Sequence, residues 1–262
     1  MRYDKGSIGL SATRDHPLLR QVLRCGFVTY KQLFEFLRLG YYERDFRSCG
    51  WRVRRLAKHG LLVKHKGVGT GVAAYSIGTP AALMLQGLGE YCLIGHRRLD
   101  SGNPDVSALH ALELNEVQLS LLRAELGARW TPACDIRSQN VLSRTRYAKD
   151  YDAVIAVPVD GEERRFALEY ERSAKARRDY AAITRLLDGE TLVSHVLYLV
   201  PNHDVLSYLA GSFTPTVPNL WLGIVRDWHE QLLDMPVVGP CSPVTRPLKE
   251  ALKSACSSLR AG

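Results

Sequence analysis

Residues 152–171 read Asp152-Ala153-Val154-Ile155-Ala156-Val157-Pro158-Val159-Asp160-Gly161-Glu162-Glu163-Arg164-Arg165-Phe166-Ala167-Leu168-Glu169-Tyr170-Glu171. Two apolar, partly β-branched runs around an Asp-Gly pair are a hairpin signal. The first residue of one hairpin strand lies near the last residue of the other. Asp152 is therefore expected to converge on Glu169 and Glu171, which share a strand face because the side-chain period is two. Working outward, Leu109 to Leu126 is helical by pattern and Trp130 begins a strand-and-loop region. Beyond the hairpin come a helix over 174–187, a buried strand from Val193 to Val200, a short helix from Asp204 to Ala210 and a last strand from Asn219 to Val225. This order predicts an α/β layer arrangement over residues 106–234. Residues 235–262, rich in Pro and Ser before a short amphipathic stretch from Leu248 to Leu259, are expected to form a peripheral tail.

The first 95 residues predict a different unit. Leu18, Leu19, Val22 and Leu23 recur at helical spacing after Asp15-His16-Pro17. Thr29 precedes a second short helix ending at Gly40, and a third runs from about Glu43 to His59. Leu61 to Lys66 and Val72 to Ile77 read as two strands around the Gly67–Gly71 turn, and Pro80 to Leu88 as one more helix. Residues 89–107 are a connector, broken by Gly95, Gly102, Asn103 and Pro104.

Composition narrows the function classes. The chain has 262 residues, 46% hydrophobic and 24% charged, ordinary values for a globular protein large enough for two domains. No apolar run approaches the ~18–20 residues needed to span a bilayer, and the first seven residues lack the apolar core of a signal peptide. The six cysteines form no CxxC pair, so they read as reduced and the protein as cytoplasmic. A membrane protein, a zinc finger and a secreted disulfide scaffold are disfavoured.

The net charge of +8 is unevenly placed: residues 1–100 hold 17 Lys and Arg against 7 Asp and Glu, and the remainder 18 against 20. Such localisation suggests a polyanion-binding face. The third helix is its centre. At 100° per residue, Phe46, Cys49, Val53, Leu56 and Ala57 share one face, while Arg44, Arg47, Ser48, Trp51, Arg55 and Lys58 share the other. An Arg-rich helix, third in a tri-helical unit, suits major-groove entry to double-stranded DNA, with Lys64 and Lys66 of the hairpin beside the backbone. Three helices and a Gly-tipped basic hairpin resemble a winged helix-turn-helix. The competing reading is a solvated charged face, with Trp51 packed under the hairpin.

Asp152, Glu169 and Glu171 are hard oxygen donors suited to Mg²⁺, which can activate water against a phosphodiester. Glu113 or Glu116 could add a fourth acid, and Lys175 could steady the phosphate. The competing reading pairs Glu169 and Glu171 with Arg172, Arg177 or Arg178. His195 and His203 read as structural, and Gly67–Gly71 lacks the Lys-Ser ending of a phosphate loop. Tyr147, Tyr151, Tyr170 and Tyr180 lack the histidine cluster that a tyrosine-nucleophile relaxase needs.

The helix, the Asp-Ala-Val-Ile-Ala-Val strand, the Phe-Ala-Leu-Glu-Tyr-Glu-Arg-Ser strand and the helix reaching Tyr180 together resemble the PD-(D/E)XK nuclease-like fold, the restriction-endonuclease core. With the N-terminal winged helix and a helix carrying His110 and Asn115, the chain resembles the replication-relaxation proteins of plasmids and integrative elements. If activity survives, the resemblance implies Asp152 and Glu169 as metal ligands, with Glu171 a further candidate. It departs from the pattern at Tyr151, where proline is usual, and at Glu171, where lysine is usual; Lys175 would then supply the cation. Three functions follow as expectations: a DNA-binding protein of a mobile element that grips without cutting, a Mg²⁺-dependent endonuclease or nickase, or a transcriptional regulator with a dimerising or sensing domain. A homodimer, or replication and transfer proteins, would be the partners.

Overall fold

A computed structural model describes residues 8–68, 71–90, 104–213, 219–240 and 244–253. The tip of the Gly-rich turn at 69–70, most of the expected connector and the end of the 248–259 stretch lie outside them. The contacts divide the chain into Met1–Leu119 and Ser120–Gly262.

In the first unit, α1 (Asp15–Cys25), β1 (Val28–Thr29), α2 (Tyr30–Leu39) and α3 (Phe46–Lys58) precede β2 (Leu62–Val68), β3 (Val72–Ile77) and α4 (Thr79–Gly87). Thr29 closes the start of α2 through a capping box with Gln32, its side chain taking the Gln32 N–H and the Gln32 side chain taking its own. Asp45 caps α3 by accepting from the Ser48 N–H at 2.6 Å. The strands form a three-stranded antiparallel sheet in the order β1-β3-β2. Leu18, Leu19, Val22, Leu33, Val53, Leu56 and Ala74, all buried, are its core.

The helix α5 (Pro104–Arg123) contributes its first part to this unit, so the division falls later than residue 106. Ala108 and Leu112 join Ala74 and Phe27 in one apolar cluster. The Asn115 side chain donates to the Phe27 carbonyl at 2.8 Å, and Gln32 donates to Leu112 O at 2.8 Å and to Glu116 at 2.9 Å. Glu113 and Glu116 thus belong to the first unit.

The second unit is a seven-stranded mixed sheet. It runs through β4 (Arg129–Pro132), α6 (Ala133–Leu142), β5 (Ala153–Val159), β6 (Glu162–Tyr170), α7 (Arg177–Leu187), β7 (His195–Val200), α8 (His203–Ala210), β8 (Leu220–Ile224), α9 (Val225–Gln231), β9 (Pro236–Val238), β10 (Thr245–Pro247) and α10 (Leu248–Ala251). The strand order is β10-β9-β8-β7-β6-β5-β4. β6, β7 and β8 are parallel and the other neighbours antiparallel. The β5–β6 hairpin turns on Asp160 at φ 52° and Gly161 at φ 81°, both left-handed as a two-residue type I′ turn requires. An apolar layer of Val154, Ala167, Val196, Tyr198, Val200 and Leu222 packs with Ile136 of α6, Tyr180 and Leu187 of α7 and Leu209 of α8.

The segment after residue 234 is not a peripheral tail. β9 and β10 extend the sheet, and Met235, Val237, Leu248 and Leu252 are buried. Gly223 makes room for it: a Cβ there would meet Met235 Cε at 2.3 Å.

Candidate nucleic-acid interface and carboxylate site

The basic residues of α3 fall into two groups. Arg52 is 8% exposed, with Nε 3.3 Å from Glu43 Oε2 and Nη1 3.6 Å from Asp15 Oδ1. Arg55 places Nη2 2.6 Å from Asp15 Oδ2 and donates through Nη1 to Gly9 O at 3.3 Å. Asp15 is buried at the start of α1, where its carboxylate also accepts the Ser11 N–H at 2.7 Å. Arg14 reaches Glu43 at 3.0 Å. Burial raises the Glu43 carboxyl, but the N–H groups of Asp45 and Arg44, with Arg52 and Arg14, outweigh it and hold the group below the usual carboxylate range. Arg52 and Arg55 are therefore anchors, fixing α3 to α1 and to the α2–α3 turn.

The second group is exposed: Arg44, Arg47, Trp51, Arg54 and Lys58. Lys64 and Lys66 of β2 are also exposed, flanking a half-buried His65 that bonds Ser76 at 2.8 Å. Two residues expected on the outer face sit elsewhere. Arg55 is committed to Asp15, and Ser48 Oγ turns toward Glu43 at 3.5 Å. Trp51 is 56% exposed, not packed under the hairpin, and lies under the Arg55 guanidinium at 5.0 Å. Phe46, assigned to the apolar face, is 45% exposed with its ring against Tyr30 and Phe34. Arg54 went unread although the wheel places it about 20° from Arg47, on the same outer face.

In the second unit the hairpin register pairs Ala153 with Leu168. That sets Asp152 beside the far end of β6, where Oδ2 accepts the Tyr170 N–H at 2.8 Å. Glu169 and Glu171 are 8% and 7% exposed. Lys149 places its ammonium 2.7 Å from Glu169 Oε2, and Lys175 lies 2.5 Å from Glu171 Oε2. Lys175, expected here, is present; Lys149 was missed. Of the arginines expected to pair with Glu169 and Glu171, Arg177 is over the Tyr208 ring and Arg178 is 3.7 Å from Asp179.

Lys149 comes from a loop that no periodicity describes. The loop is folded back by Asn140 Oδ1, which takes the Tyr147 N–H at 2.8 Å, and by Glu190 Oε2, which takes the Ala148 N–H at 2.9 Å and the Tyr151 hydroxyl at 2.8 Å. The ammonium then lies 5.7 Å from the Tyr151 ring and 6.0 Å from the Tyr198 ring. Tyr198 stands opposite Glu169 in the β6–β7 register, fully buried.

Burial pushes the Glu169 carboxyl up to about 7; Lys149 opposes this, Asp152 adds to it, and Lys175 opposes it further. The second carboxyl oxygen of Glu169, Oε1, is buried without a hydrogen-bond partner. Burial, with Glu169 and Glu171 adding to it, raises the Tyr198 phenol well above its ordinary value. Two of the carboxylates, Asp152 and Glu169, suit Mg²⁺ by chemistry, since Mg²⁺ takes one or two carboxylates and completes its shell with water. Among the described residues no three His, Cys, Asp or Glu side chains form a metal cage. His195 is structural, as expected: it is 3% exposed, Trp221 Nε1 lies 3.4 Å from its Nδ1, and burial pushes its pKa down to about 4. Among the described residues no helix is long and apolar enough to cross a membrane.

No protein-family model and no curated protein matches the chain. A solved complex of the pre-specific restriction endonuclease BsaWI with DNA is similar at 12% identity and a TM-score of 0.29, covering 78% of this chain and 82% of that one. A superposition that loose carries no structural argument.

Proposed function

We propose that the protein binds duplex DNA with its first unit, a winged helix that inserts α3 into the major groove, and grips DNA with a PD-(D/E)XK-like second unit without cutting it. The observation that carries this is the division of labour on α3. Arg52 and Arg55 are spent on buried acids, whereas Arg44, Arg47, Arg54 and Lys58 remain in solvent. A helix held rigidly from behind, with arginines in front, is pre-organised for base edges and phosphates. The element order, with Lys64 and Lys66 on the hairpin, supports the winged-helix reading. A role in plasmid replication or mobilisation, in the cytoplasm, with a homodimer or replication and transfer proteins as partners, extends the same proposal from the family resemblance. Joint Arg47→Ala and Arg54→Ala replacement should reduce the salt slope of duplex binding by about 1.8, roughly 0.9 for each lost phosphate contact. An unchanged slope would reject the winged-helix reading.

A second reading, a Mg²⁺-dependent nuclease, is favoured by the orphaned Glu169 oxygen and the raised Glu169 carboxyl. Asp152 and Glu169 would hold the ion, which when bound lowers the pKa of its water and neutralises developing phosphate charge. Lys175 would hold a phosphate oxygen, and Lys149 would move from Glu169 as the ion entered. Mg²⁺ added near pH 6.5 should release protons in calorimetry, because Glu169 must ionise to bind. The Glu169→Gln variant should release none. Equal release by both proteins would reject this metal site.

A further inference from the structure

The basic residues of the second unit are spread as unevenly as those of the whole chain. Residues 137–149 hold Arg137, Arg144, Arg146 and Lys149, and residues 172–178 hold Arg172, Lys175, Arg177 and Arg178; the acids that follow directly, Asp150 and Asp179, lie 3.5 Å from Arg137 and 3.7 Å from Arg178. Eight of the unit's 18 Lys and Arg thus fall in 20 of its 143 residues. A unit that is nearly neutral in sum carries a concentrated cationic rim.

The fold gathers both stretches at one place. Lys149 from the first reaches Glu169 at 2.7 Å, and Lys175 from the second reaches Glu171 at 2.5 Å. Glu169 is in β6 and Glu171 lies just past its end, so the two segments each bring one ammonium to neighbouring carboxylates. Arg144, Arg146, Arg177 and Arg178 are exposed.

The first segment is cross-braced. Gln139 donates to Thr145 O at 3.2 Å, and Asn140 donates to Asp150 at 2.8 Å while accepting from Tyr147. Glu190 takes the Ala148 N–H and the Tyr151 hydroxyl. A loop already ordered loses little entropy when a ligand closes on it. Val141 and Leu142, 58% and 65% exposed, stand just before Arg144.

We infer that this rim is a second, independent DNA-backbone site, with Arg144 and Arg146 from the segment that carries Lys149 and Arg177 and Arg178 from the segment that carries Lys175. It deepens the proposed grip of the second unit and rests on that reading, but not on the assignment of α3. Six of the eight cations are arginines, whose planar fork matches a phosphate and is less strongly hydrated than an ammonium. Exposed cations from two segments suit an extended polyanion. Two sites on one chain raise avidity without any new contact.

The test compares three full-length proteins on a short duplex of arbitrary sequence. One carries Arg144→Ala, Arg146→Ala, Arg177→Ala and Arg178→Ala; the second carries Arg47→Ala and Arg54→Ala; the third combines all six. All the replaced side chains are exposed, so unchanged thermal melting confirms that each protein is folded. The rim variant should bind roughly tenfold or more weakly, with a salt slope reduced by up to about 3.6, and lysine at the four positions should restore much of the slope. The combined variant should lose almost all binding.

Wild-type affinity and slope in the rim variant would overturn the second site while leaving α3 standing. Loss in the rim variant with no change in the α3 variant would uphold it and reject the winged-helix reading. Capture of poly-L-glutamate as tightly as of DNA, lost in the same rim variant, would also overturn it in favour of an acidic protein partner.

Discussion

The two units bury acids in opposite ways. In the first, Asp15 and Glu43 meet three guanidiniums and several backbone N–H groups, and Glu43 is held ionised. In the second, Glu169 and Glu171 meet two ammoniums on long flexible stems beside a third acid, Asp152, and Glu169 is pushed toward neutrality; one buried oxygen in each cluster, Asp15 Oδ1 and Glu169 Oε1, has no hydrogen-bond partner. Arginine forks satisfy several lone pairs at once and suit a permanent joint; lysines are point charges that can yield. The first cluster has the composition of a mechanical joint, whereas the second holds its buried acids with charges that can yield.

Breaking the joint should have the largest effect. Asp15→Ala leaves Arg52 and Arg55 without their shared partner, and removing one member of a buried ion pair costs about 3–5 kcal/mol. Denaturant unfolding should show this loss in the first unit, together with loss of duplex binding. A variant as stable as wild type would mean that the pair contributes nothing to holding α3.

The next effect is a difference in sign with pH. The Glu43 carboxyl lies below its unfolded value, so its contribution is present above about pH 4.5 and fades as pH falls through the folded value. The Glu169 carboxyl is raised from 4.5 to about 7, so the folded state holds the extra proton between those values and stability falls as pH rises across that window. Glu169→Gln should flatten this slope, a change of about 3 kcal/mol across the window by thermal or urea denaturation. A slope that survives the substitution would assign the proton to another group.

The charged residues also show what a linear reading can reach. The placement of Asp152 beside the end of β6 was legible because strand alternation and a two-residue turn fix register within 20 residues. The amphipathic character of α3 was legible from its period. The anchoring of Arg52 and Arg55 was not: Asp15 and Glu43 lie outside the helix, and a wheel cannot tell a solvent-facing arginine from one turned onto a distant acid. Lys149 escaped because Asn140 and Glu190, not any local pattern, bend its loop. The strands β9 and β10 escaped because three-residue segments beginning or ending in proline look like a tail, and only the groove over Gly223 shows why Met235 docks.

Adjacent arginines give the most direct test. Arg54→Ala and Arg55→Ala remove the same charge from the same helix, one residue apart. Melting temperature and the salt slope of duplex binding should be measured together on both. Arg54→Ala should lower the slope by about 0.9 and leave melting unchanged, whereas Arg55→Ala should lower melting and leave the slope of the folded protein close to wild type. Equal effects of the two substitutions on the slope, with neither changing melting, would contradict the division of α3 into anchors and DNA contacts.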